Sequence, residues 1–106
     1  MFKILDGRDS FYQWDINQKL LIEDETIQEV HFCNKTDDEA LVCEVYTENG
    51  KRVVNVPNIL LQDNWDVCVY AFCGYTKYSS RFKIKARSKP ADYIYIQKLR
   101  LKGGNN

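Results

Sequence analysis

Histidine, proline and glycine are all scarce in this 106-residue chain, at one, two and five residues. With His31 the only imidazole, a histidine-activated nucleophile has to be built around that one ring, and a zinc site could recruit it with several of the cysteines. No Cys-x-x-Cys pair stands ready to help it. Cys68 and Cys73 are five apart on an extended run and point to opposite faces, which is poor spacing for zinc. There is no glycine-rich phosphate loop, serine-centred elbow or P-loop. No apolar run approaches the roughly 20 residues that cross a bilayer. The opening residues meet Asp6 and Asp9 before a signal-peptide core can form, which predicts a chain made and kept in a cytoplasm. Helical periodicity is missing as well: Gln18 to Ile22 and Asn58 to Gln62 each read as a single turn at most.

What remains is strand. Hydrophobic residues make up 44% of the chain and aromatic residues 13%, which excludes a disordered polypeptide and predicts one domain with one core. Val30 and Phe32 alternate with Glu29, His31 and Cys33, and Leu41, Cys43 and Val45 alternate with Val42, Glu44 and Tyr46. The second run leads into Asn49-Gly50, the strongest short hairpin signal, because both residues tolerate the positive φ of a type I′ turn. Val53, Val54 and Val56 close a further strand. Pro57-Asn58 breaks it, and Ile59-Leu60-Leu61 crosses over to Trp65 and the run Asp66 to Phe72, with Trp65 in the core. Phe82, Ile84 and Ala86 face one way and Arg81, Lys83, Lys85 and Arg87 the other, up to Pro90. Tyr93 to Ile96 gives a last strand before a tail, 99–106, expected to be disordered.

Seven or eight short antiparallel strands joined by Asp/Asn/Gly turns predict an all-β, immunoglobulin-like or fibronectin-III-like sandwich over residues 1–98. The four cysteines lie inside apolar β-rich runs, which suits reduced thiols in a reducing compartment.

Net charge is zero but unevenly laid out. Residues 1–50 hold 12 acidic and 4 basic side chains, a balance of −8, whereas residues 51–106 hold 3 and 11, a balance of +8. One consequence would be head-to-tail association of copies or a basic face for a partner. The plainer expectation is that strands of the two halves interleave and their outward charges pair, at about 0–1 kcal/mol each. Nucleic acid fits poorly, since the basic run from Lys77 to Lys89 lacks a glycine-rich loop or zinc module and has only Tyr75 and Tyr78 as a stacking platform.

The catalytic candidates are thin. His31 and Cys33 share a strand face, but neighbouring same-face side chains diverge and no third group orients the imidazole. Glu23-Asp24-Glu25 and Asp37-Asp38-Glu39 lack the alternation and glycine of a calcium loop and read as solvated turns. No catalytic, metal or cofactor-binding residue is expected. The candidate interaction surface is Arg81, Lys83, Lys85 and Arg87 with Tyr75 and Tyr78.

The segments Ile4 to Asp15, Val30 to Asn34, Val54 to Gln62 and Arg87 to Tyr95 together resemble the small N-terminal domains of minor structural proteins of tailed phages and prophages of Gram-positive bacteria. The resemblance spans nearly all of the chain up to about Tyr95. It implies a non-catalytic structural or adaptor module of a tail or baseplate. Its partners would be other virion proteins and possibly copies of itself, without membrane, and its place the virion after assembly in the host cytoplasm. Two other functions fit the same residues: a carbohydrate-binding module that holds host wall polysaccharide on exposed rings, and a small phage-encoded inhibitor of a host protein.

Because the ligand spacing is poor and the hydrolase motifs are missing, hydrolase assays should be negative and a strong chelator should leave the melting temperature unchanged. A fall of about ten degrees or more on chelation would show that the thiols hold a structural metal.

Overall fold

Alternation of apolar and polar residues is realised as two sheets that share one core. The computed structural model describes residues 2–33, 40–62 and 66–92. Within them lie nine strands: β1 Phe2–Ile4, β2 Ser10–Tyr12, β3 Lys19–Ile22, β4 Glu29–Cys33, β5 Leu41–Glu44, β6 Tyr46–Glu48, β7 Lys51–Asn55, β8 Val67–Cys73 and β9 Thr76–Lys85. A 3₁₀ turn, Asn58–Leu61, precedes the segment leading to β8. One sheet has the order β1-β3-β7-β6 and the other β2-β9-β8-β4-β5. Pairing is antiparallel except between β2 and β9, which run parallel. The all-β, sandwich-like expectation holds, with nine strands among the described residues where seven or eight were read.

Strand parity explains the core. On β8, Val67, Val69 and Ala71 are fully buried, and on β4 so are Val30 and Phe32. Phe82 and Ile84 of β9 and Phe11 of β2 join them from the same sheet, while Phe2, Ile4, Leu20, Ile22 and Val54 come from the other. Each such side chain contributes about 1.5–3 kcal/mol by leaving water. Phe11 meets Phe82 edge-on with centroids 5.8 Å apart, an arrangement that adds to the burial.

Two hairpins depend on positive φ. Asn49 (φ 53) and Gly50 (φ 77) form the two-residue turn between β6 and β7, closed by the Glu48–Lys51 pair, as the Asn-Gly signal predicts. Gly74 (φ 63) alone takes positive φ between Cys73 and Thr76, as the first central position of a type II′ turn requires. Longer connections are held by side chains. The Arg52 guanidinium donates to the carbonyl oxygens of Asp24 (2.6 Å) and Ile27 (2.5 Å), tying the β3–β4 loop to β7. In that loop the Asp24 carboxylate accepts from the Thr26 hydroxyl and amide, which holds its carboxyl below the usual range.

The buried carboxylate of Asp15, only 8% exposed, accepts from the Tyr12 amide at 2.9 Å. It also lies 3.8 Å from Arg8 Nη1 and 3.4 Å from Arg87 Nη1. A buried charge needs this company.

Several expectations are corrected. The run from Leu41 to Tyr46 is two strands rather than one: the chain leaves the five-stranded sheet at Glu44 and enters the four-stranded one at Tyr46. Val45 sits at the crossing, its amide bonded to the Gln28 carbonyl at 2.9 Å. The N-terminal segment makes the same change between β1 and β2. Gln18 to Ile22 contains β3 instead of a helical turn, because Leu20 and Ile22 are drawn into the core in alternation. Strand β9 ends at Lys85, so Ala86 is exposed and Arg87 lies past the strand. The plainer expectation about charge also fails in part: among the described residues only Arg87 with Asp15 pairs the basic half with the acidic half. All four cysteines are thiols, Cys33 buried and the other three half-buried. Trp65, Asp37-Asp38-Glu39, the strand read at Tyr93 to Ile96, the domain limit at 98 and the tail lie outside the described residues.

Phe11→Ala should cost about 3–5 kcal/mol in urea unfolding. Lys83→Ala, on the solvent side of β9, should stay within about 0.5 kcal/mol. Equal midpoints for the two variants would contradict the packing of β2 described above.

Candidate functional site

Since Val67, Val69 and Ala71 point into the core, Cys68, Tyr70 and Phe72 must stand on the opposite, outer face of β8. Registered neighbours share that face. Cys68 pairs with Arg81, Tyr70 with Ser79 and Phe72 with Lys77 on β9, while His31 pairs with Tyr70 and Cys33 with Cys68 on β4. Val42 and Glu44 of β5 lie beside His31 and Glu29.

The centre of this face is aromatic. The His31 ring stacks on Tyr70 with centroids 4.7 Å apart and planes 8° from parallel. Phe72 stands edge-on to both, at 6.1 and 5.9 Å. Lys77 Nζ lies 4.5 Å from the Tyr70 centroid. Because β4 and β9 flank β8 on opposite sides, Tyr70 is held between an imidazole and an ammonium, the latter contact worth about 0.5–1 kcal/mol at an exposed site. Beside these rings is a shallow depression of about 450 Å³, with Cys33 and Cys68 on one flank and Lys77, Ser79 and Arg81 on the other. Phe72 remains 53% exposed and Val42 50%.

Charge is sorted across the same face. Arg81, Lys83 and Lys85 follow one another along β9, and among the described residues none has a carboxylate within ion-pair distance. On the other flank Glu29 and Glu44 are both exposed and directly opposite each other, a like-charge pairing that costs stability. Among the described residues, one edge thus carries cations and the other carboxylates without ion-pair partners.

Of the residues singled out from sequence, Arg81, Lys83 and Lys85 come together on this face. Arg87 does not join them: its guanidinium goes to Asp15 and its amide to the Gln13 side chain at 3.4 Å. Tyr75 is fully exposed at the tip of the β8–β9 hairpin. Tyr78 turns the other way and packs, half-buried, against the core. The reason is register, since Tyr78 shares parity with Phe82 and Ile84. His31, Tyr70 and Phe72 went unnoticed as a group because three residues on two strands meet only through pairing. The available signal was outward parity of two rings on β8.

For chemistry the face offers little. Burial pushes the Cys43 thiol up, which keeps it protonated and a weak nucleophile at neutral pH. Among the described residues no three His, Cys, Asp or Glu side chains are placed to hold a metal ion. Compared with models of protein families, with curated proteins and with solved structures, the chain matches none.

Alkylation of the native protein, followed by mass spectrometry, should modify Cys68 and Cys73 before Cys33 and Cys43. Faster labelling of Cys33 would mean that β4 is not packed as described.

Proposed function

We propose that this chain is a non-catalytic binding module of immunoglobulin type that docks a protein partner on the outer face of its five-stranded sheet. Strand order supports the type. Lettered along the chain, with the N-terminal strand divided between sheets, β1-β3-β7-β6 reads A-B-E-D and β2-β9-β8-β4-β5 reads A′-G-F-C-C′, the immunoglobulin arrangement with one added strand.

The observation that carries the function is the outward cluster of Phe72 and Val42, both exposed, with half-buried Tyr70 and His31, bounded by charges that have no ion-pair partner among the described residues. An aromatic centre with a polar rim is the anatomy of protein–protein interfaces. Sugar stacking asks for ring faces open side by side. Tyr70 has both faces occupied, and Phe72 stands 85° to it, so these rings favour a protein surface over a polysaccharide.

The resemblance to minor structural domains of tailed phages supplies the setting. On this reading the partners are virion proteins and the module is an adaptor in the tail or baseplate. Mass spectrometry of purified particles induced from a strain that encodes the chain should find the polypeptide, and its absence would overturn the virion assignment. Phe72→Asp should abolish incorporation while leaving the melting temperature unchanged, because the ring is half in solvent. Incorporation at the parental level would move the docking surface elsewhere.

A further inference from the structure

The outer face carries enough to name its occupant. We infer that it docks a second copy of this chain, sheet on sheet, about a two-fold axis parallel to the strands; the inference rests on the docking face proposed above.

The observation is one row of side chains across the sheet. Lys77 pairs with Phe72 and Glu29 pairs with Glu44. The β4–β8 register, in which His31 meets Tyr70, carries Glu29 to the level of Phe72 two residues further on. By backbone register the row therefore reads cation, ring, carboxylate, carboxylate, and the Lys77 ammonium, which leans over Tyr70 in the single chain, has to swing off that ring to meet a partner.

A two-fold axis along the strands lays this row on its own reverse. Lys77 of one copy then meets the Glu29–Glu44 pair of the other, twice, by symmetry. The mutual repulsion of the two carboxylates, which have no ion-pair partner among the described residues, is relieved by the incoming ammonium. The alternative axis, across the strands, would set β9 against β9 and bring Lys77, Arg81, Lys83 and Lys85 onto their own kind. Charge thus selects one of the two ways in which this face can meet itself.

Size agrees with a reversible dimer. The five strands of the face, of three, ten, seven, five and four residues, lie about 4.8 Å apart and rise about 3.3 Å per residue, which gives a face of about 460 Å². Two copies would bury about 920 Å² in all, within the range of weak, transient contacts below about 1,200 Å². The contact is then salt-sensitive, because its ion pairs lie at the rim and are screened within a Debye length of about 8 Å at physiological ionic strength.

Sedimentation equilibrium of the whole chain decides the matter. The parent should dimerise at low salt and dissociate at high salt. Lys77→Glu and Glu44→Lys should each weaken self-association about tenfold or more, because each removes a close charge pair at both symmetry-related contacts. An equimolar mixture of the two variants should recover dimer, since Glu at 77 then meets Lys at 44. Amide shifts of the parent that depend on concentration should fall on β4, β8 and β9. A parent that stays monomeric at millimolar concentration in low salt overturns the inference, as does failure of the mixture to recover or shifts confined to the four-stranded sheet. Such a monomer leaves the docking face to be judged by Phe72→Asp in virions, so the two readings fail separately.

Discussion

A single core lies between two sheets, and it obliges every strand that borders it to send alternate side chains inward. Val30 and Phe32, Val67, Val69 and Ala71, and Phe82 and Ile84 obey this on one side, and Leu20, Ile22 and Val54 on the other. What lies between them in sequence is thrown outward without regard to its chemistry. The aromatic character of the outer face is thus a choice made at positions the core does not constrain. Tyr70 and Phe72 contribute nothing to the central cluster, and Phe72 is left half in water. Large apolar side chains at unconstrained positions are the informative kind, since solvent gives no reason to put them there.

The same rule sets how much could be read without coordinates. Alternation identified β4, β8 and the middle of β9, and it correctly placed Arg81, Lys83 and Lys85 outside. Asn49-Gly50 marked its hairpin because the backbone conformation it needs is chemically unusual. Parity does not reveal a change of sheet. Val45 is followed by Tyr46 with the period unbroken, yet the chain crosses there from one layer to the other. The split of the N-terminal segment is hidden for the same reason. Tyr78 stands in the candidate interaction surface, although counting back by twos from Phe82 places it inside; the strand simply begins earlier than its composition suggests. The stacking of His31 on Tyr70 rests on the register between β4 and β8, with 33 residues lying between Cys33 and Val67. No local pattern encodes that pairing.

Crossing between layers has a mechanical cost, and the structure meets it with polar clamps. After β2 the chain turns sharply, with Trp14 at φ 73 and Asn17 at φ 58. The turn is secured by the Trp14 amide on the Leu61 carbonyl at 2.7 Å, the Gln13 amide on the Lys85 carbonyl at 2.7 Å, and the Gln13 side chain on the Gln62 carbonyl at 2.6 Å. Asp15 completes it with Arg8 and Arg87. These bonds hold a three-residue strand in parallel against β9 and so keep Phe11 in the core. Arg87, outwardly one more cation of the basic face, belongs to this clamp.

Two ways of recruiting a protein are open to a sandwich of this kind: adding a strand at an edge, or covering a face. Among the described residues the edges are β1 and β6 of one sheet and β2 and β5 of the other, of three, three, three and four residues. So short an edge gives an incoming strand few backbone hydrogen bonds, each worth about 0.5–1.5 kcal/mol net. Short edges are also how sheets avoid unwanted pairing. The face, by contrast, offers the long strands β8 and β9, rings already fixed by stacking and by Lys77, and charges that have no ion-pair partner among the described residues. Because those rings are ordered before any partner arrives, docking on them forfeits little side-chain entropy. If this chain recruits a protein, weak edges and a preorganised face together direct that partner to the outer surface of the five-stranded sheet.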